Sequence, residues 1–192
     1  MKKIVLILLF FTTVFAQTSA MQLFDESRQA LSNGNLELAG EKIRAAIDAD
    51  KGNDQLRKEF DRLNRLRNKA NNSNRAVQDG RFDDAIVGFN EVVDSIPKYI
   101  PALFGLAKAY EGKKDYNAAI KYYKESLSLD SNHEDSKKSI QNIAKKLYNS
   151  ANKDYQNGNL EGAMSKYRQV LDINKRIYQA HFQIYSVHYQ FQ

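Results

Sequence analysis

The chain has 192 residues, 42% of them hydrophobic and 27% charged, with a formal net charge of +6 and no cysteine. The missing cysteines remove disulfides, thiol nucleophiles and thiolate metal sites. Without Lys2 and Lys3 the charge falls to +4, too little to imply nucleic acid, while the length suffices for one continuous hydrophobic core.

Residues 1–20 read as a leader. Lys2-Lys3 give a basic start, Ile4 to Phe11 with Val14 and Phe15 a short apolar run, and Val14-Phe15-Ala16 or Thr18-Ser19-Ala20 a small-residue cleavage site. Cleavage is expected after Ala16, with export to a bacterial periplasm or beyond. The apolar run is short for a bilayer span of about 20 residues, and no cysteine follows it to carry a lipid.

Beyond the leader one hinge motif recurs four times: Gly34-Asn35-Leu36 with Ala39 and Ile43, Gly80-Arg81-Phe82 with Ala85 and Phe89, Lys114-Asp115-Tyr116 with Ala119 and Tyr123, and Gly158-Asn159-Leu160 with Ala163 and Tyr167. One such unit cannot bury its own apolar face, so the units must stack. The expected hairpins are 20–53, 54–99, 100–133 and 134–177, followed by a terminal helix at 178–192. Within the third, Leu103, Leu106, Ala107 and Tyr110 share one helical face and Ala119, Ile120, Tyr123 and Leu127 another. Gly112 to Asp115 joins these helices into an antiparallel pair.

From Gly34 to Gly80, Lys114 and Gly158 the hinges lie 46, 34 and 44 residues apart. The long intervals lengthen a helix rather than a loop. Asp54 to Asp79 contains neither Gly nor Pro and keeps Leu56, Phe60, Leu63, Leu66 and Ala70 on one face, and Glu134 to Asn157 does the same with Ile140, Ile143, Leu147 and Ala151. Asn53-Asp54 and Ser131-Asn132 are the expected N-terminal caps of these two helices.

The pattern resembles the tetratricopeptide repeat, whose period is the middle interval. A turn residue is followed by an aromatic or Leu, then Ala, then an aromatic, and Pro97 closes the second unit where that family carries proline. Departures are Leu103, Lys69 and Leu147 at the family's first large aromatic position, and Asp154 at a normally apolar one. The resemblance spans about 20–192 and implies an all-α, right-handed α-solenoid of helix hairpins that binds protein or peptide segments, with no cofactor. Counted from the hinges, the family's ligand-facing positions fall on Phe24, Arg28, Arg67, Asn74, Phe104, Lys108, Lys145, Tyr148, Asn152 and Tyr155. Aromatic side chains there offer contact area, and Asn or Arg hydrogen bonds, to a segment of apolar and acidic character. The family's clamp for C-terminal carboxylates needs lysines where Ala70 and Tyr148 stand, so that ligand is not expected.

Lys58, Arg62, Arg65 and Lys69 form a basic stripe at helical spacing, suited to weak contact with an acidic protein or lipid headgroups. His133, His181 and His188 have no metal-ligand spacing, and no nucleophile elbow, phosphate loop or calcium loop occurs. Neither an enzyme nor a metal site is expected. In the terminal helix Tyr178, Phe182, Tyr185 and Tyr189 share a face, while Ile184, Val187 and Phe191 occupy others that docking would leave uncovered. Phe182, Tyr185 and Tyr189 are therefore a candidate assembly surface, and oligomerisation through that helix is the alternative function.

Overall fold

The structure, a computed structural model, describes residues 18–173 together with Ala180, Gln183, Ile184, Ser186 and Val187. Residues 1–17 of the expected leader, and Phe182, Tyr185 and Tyr189 of the candidate assembly surface, lie outside the described residues. The helices are α1 (18–32), α2 (Leu36–Ala49), α3 (Asp54–Gln78), α4 (Phe82–Ser95), α5 (Ile100–Gly112), α6 (Tyr116–Leu129), α7 (Glu134–Gln156) and α8 (Leu160–Ile173). The fold is all-α, of the solenoid class built from helix hairpins, and no strand occurs among the described residues. The elongated first helices are α3, with 25 residues, and α7, with 23. Thr18 to Ala20 belong to α1 and Ala20 is buried, so the described fold begins inside the stretch read as leader.

Two compact units divide between Ala119 and Ile120, where one continuous core was expected. In the first, α3 packs against α2 and α4, α4 against α5, and α3 also touches α5. In the second, α7 packs along α8.

All four hinges share one backbone solution. Gly34, Gly80, Lys114 and Gly158 have φ of +79°, +74°, +64° and +79°, the left-handed region in which a Cβ is unfavourable. The amide of each donates to the carbonyl three residues back: Gly34 to Leu31 at 2.9 Å, Gly80 to Val77 at 3.1 Å, Lys114 to Glu111 at 3.0 Å and Gly158 to Tyr155 at 3.1 Å. The next amide donates five residues back, from Asn35 to Ala30 at 2.9 Å, Arg81 to Ala76 at 2.8 Å, Asp115 to Tyr110 at 3.0 Å and Asn159 to Asp154 at 2.9 Å. This Schellman pair satisfies carbonyls that the ending helix leaves over.

The residue after the left-handed one starts the next helix. The side-chain oxygens of Asn35, Asp115 and Asn159 accept from the amides of Leu38, Ala118 and Gly162 at 2.9, 3.0 and 3.1 Å. Arg81 makes no such cap; its guanidinium pairs with Asp79 and Asp84.

The links between hairpins also repeat. Asp50, Ile96 and Asp130 close α2, α4 and α6 by donating four residues back at 3.0, 2.8 and 2.9 Å, and Asn53, Tyr99 and His133 donate back to them at 3.2, 3.0 and 3.1 Å. Asn53 caps α3 as expected, accepting from Gln55 and Leu56. The cap of α7 is His133, not Ser131 or Asn132: its Nδ1 accepts from the Ser136 amide at 3.3 Å. Link geometry counts four residues from the end of the preceding helix, so the cap position falls on whichever side chain stands there.

The recurring residues fill the core. Leu36, Ala39, Ile43, Ala85, Phe89, Ala119, Tyr123, Ala163 and Tyr167 are all fully excluded from solvent. Close packing in the first unit relies on small residues facing large ones. A Cβ on Gly105 of α5 would stand 2.2 Å from the Phe89 ring of α4, and one on Gly88 of α4 would stand 2.1 Å from Ser73 Oγ of α3.

Four substitutions test this account by urea denaturation. Lys114→Gly should stabilise the chain by about 1 kcal/mol, because it relieves a left-handed side-chain residue. Gly105→Ala should cost about 1–3 kcal/mol through overpacking against Phe89. Gly34→Ala should cost more than Gly80→Ala, since a Cβ at Gly34 meets the Lys98 carbonyl oxygen at 2.1 Å while Gly80 has open space. Equal losses at Gly34 and Gly80 would contradict the packing difference.

Candidate interaction surface

The positions expected to face a ligand fall on the first helix of each hairpin, and they differ in exposure. On α1, Phe24 is buried, and the exposed Arg28 holds its guanidinium 5.8 Å from the centre of that ring. On α3, Arg67 is half-buried: it donates to Asn64 at 3.2 Å and occupies room left by Gly40 of α2, where a Cβ would stand 2.6 Å from Nη2. Asn74 is exposed. On α5, Phe104 is half-buried and Lys108 exposed, its ammonium 4.0 Å from the Glu111 carboxylate. Because α3 and α5 touch, Asn74, Phe104 and Lys108 stand on neighbouring helices.

In the second unit Lys145 is exposed, while Tyr148, Asn152 and Tyr155 are half-buried. The Tyr148 ring lies 5.7 Å from the Tyr167 ring, tilted by 57°, and Asn152 Oδ1 accepts from the Tyr167 hydroxyl. Burial, then the neighbouring Tyr148 and Tyr155, push the Tyr167 phenol up to about 12. Tyr148 and Asn152 thus join α7 to α8. Asp154, the residue at odds with the repeat pattern, is matched from α8 by Lys166, whose ammonium lies 2.6 Å from it and 2.8 Å from Ser150 Oγ.

The basic stripe on α3 is half neutralised. Arg62 makes two bonds to Glu59, at 2.8 and 2.7 Å, and Lys69 pairs with Glu91 of α4 at 2.6 Å. Lys58 and Arg65 remain exposed. Among the described residues no three His, Asp or Glu side chains could hold a metal ion, and no helix is long and apolar enough to cross a membrane.

Sequence reading missed Tyr99. It is buried at the link before α5, and its hydroxyl donates to Glu37 Oε1 of α2 at 3.1 Å, beside a shallow cleft of about 370 Å³ lined by Asn33, Gly34, Lys98 and Pro101. Burial, then the Glu37 carboxylate, push the phenol up to about 12, against a smaller opposing effect of Arg67. Its available signal was position: it stands four residues past the end of α4, as Asn53 does past α2.

Residues 100–133, covering α5 and α6, match the tetratricopeptide repeat family model. Repeats of this kind generally mediate protein–protein interaction. Among solved structures the chain is similar to a tetratricopeptide repeat protein from Parabacteroides merdae, at 19% identity over 86% of this chain and 57% of that one, with a TM-score of 0.35. It is also similar to a thermophilic TPR protein of Thermus thermophilus, at 12% identity over 88% of this chain and 98% of that one, with a TM-score of 0.29. The chain thus spans 57% of the length of the first of these. No curated protein matches it.

The phenol of Tyr99 makes stability depend on alkaline pH. Below its ordinary value of 10.0 it is protonated in both states; between 10.0 and about 12 the unfolded chain releases the proton and the folded one retains it, so stability falls as pH rises through that window. Tyr99→Phe should flatten this fall while costing about 1 kcal/mol at neutral pH for the lost hydrogen bond. Denaturation midpoints measured across the window check it, and an unchanged slope would contradict the assignment.

Proposed function

We propose that the protein is an exported scaffold of a bacterial cell envelope, which holds a segment of another protein against its first helices. The carrying observation is on α5, inside the segment matching an interaction repeat: half-buried Phe104 and exposed Lys108 stand one turn apart, on a helix that touches α3, which carries the exposed Asn74. Phe104 contributes apolar area at small entropic cost, Lys108 a charge for an acidic group and Asn74 hydrogen bonds to a peptide backbone. Arg67, Tyr148 and Asn152 engage neighbouring helices and are secondary candidates.

Export is supported by the basic and then apolar order of Lys2 to Phe15 ahead of Ala16. A cut after Ala16 keeps every described residue of α1, whereas one after Ala20 removes the buried Ala20. For self-association through 178–192, Val187 is buried and Ile184 half-buried, although both were expected on uncovered faces.

Crosslinking in the native envelope tests the scaffold reading. Phe104→Ala combined with Lys108→Glu should lower partner capture roughly tenfold or more with helicity retained. Undiminished capture would sink it, and loss only on altering Phe182 or Tyr185 would favour the oligomerisation reading. N-terminal sequencing of the mature protein should begin at Gln17.

A further inference from the structure

The two Asn-Gly dipeptides of the sequence stand in identical tetrapeptides, Asn33-Gly34-Asn35-Leu36 and Asn157-Gly158-Asn159-Leu160. Both are hinges, both glycines have φ of +79°, and both asparagines are exposed. Their hydrogen bonds match as well, since each glycine amide donates three residues back and each following amide five residues back. The tetrapeptide sequence, the glycine φ and the two hinge bonds are therefore held constant, with one added local bond at the second hinge, from the Leu160 amide to the Gly158 carbonyl at 3.0 Å. The surroundings differ: at Gly34 a Cβ would meet the Lys98 carbonyl oxygen at 2.1 Å, whereas at Gly158 nothing lies within 4 Å.

An asparagine before glycine is prone to ring closure, because no side chain on the next residue hinders the attacking amide. Closure at a hinge first requires the glycine amide to leave its carbonyl partner and the turn to rotate, a local opening of the native state. At Gly158 that opening breaks the two hinge bonds into open space. At Gly34 it must also displace the hinge from the Lys98 backbone, which the buried Tyr99 beside it anchors to Glu37.

We propose that Asn157 is a site of spontaneous succinimide and isoaspartate formation, and that tertiary packing protects the chemically equivalent Asn33. The Gly158 nitrogen gives its proton to water and attacks Cγ of Asn157; the N–Cγ bond forms, the Cγ–Nδ2 bond breaks, and ammonia leaves. One water molecule then opens the cyclic imide at either carbonyl, leaving aspartate or isoaspartate. Either product places a carboxylate at the C-terminus of α7, where the helix dipole disfavours it. Isoaspartate also adds a backbone atom to a turn whose two bonds depend on its length.

The test is peptide mapping of the mature protein by mass spectrometry during incubation in mildly alkaline buffer, with fragmentation that separates aspartate from isoaspartate. Both products should accumulate at position 157 severalfold faster than at position 33. In denaturant the two positions should react at similar rates, since their tetrapeptides are the same. Asn157→Gln should remove the product at 157 and leave position 33 unchanged. Equal rates in the folded protein, faster reaction at 33, or a difference that persists in denaturant would each overturn the proposal.

Discussion

The left-handed residue that ends each first helix is the constraint on which the rest of this structure depends. It closes a Schellman pair, and the next residue opens the following helix, so the chain reverses within a few residues. A reversal that short brings the apolar stripes of consecutive helices together. Ala39 and Ile43, like their counterparts after the other hinges, are buried because the turn delivers them at a fixed distance from the preceding helix. Lys114 occupies the same conformation as three glycines, which shows that the backbone solution, rather than the residue, is what repeats.

Packing between helices then sorts the polar residues. Two departures from the repeat pattern are accommodated by a partner from the adjacent helix, Asp154 by Lys166 and Lys69 by Glu91, while Arg67 fills the space over Gly40. The exposed Lys69–Glu91 pair contributes little stability by itself. Tyr148 and Asn152 are likewise engaged by Tyr167 of α8.

A surface read from one helix at a time thus overstates what is available. Phe24 and Phe104 hold equivalent positions, yet one is buried and the other half-buried. The difference belongs to their neighbours. Repeat proteins tolerate such variation because each unit contacts only the next, so a local exchange of contacts leaves the array intact.

The sequence by itself determined the helices, the four hinges, the two elongated first helices and the apolar positions that face inward. All of these follow from short-range physics: a period of three to four residues, a left-handed cap and an asparagine or aspartate at a helix start. Tertiary structure alone decided the contacts that join residues far apart in the chain. Tyr99 reaches Glu37 across 62 positions, Phe89 meets Gly105, and Gly34 lies against Lys98. It also decided that His133 caps α7, because that position is counted from the end of α6, and that two identical Asn-Gly hinges have unlike surroundings. Distances between separate helices depend on how backbones settle against one another, and no local pattern of residues encodes them.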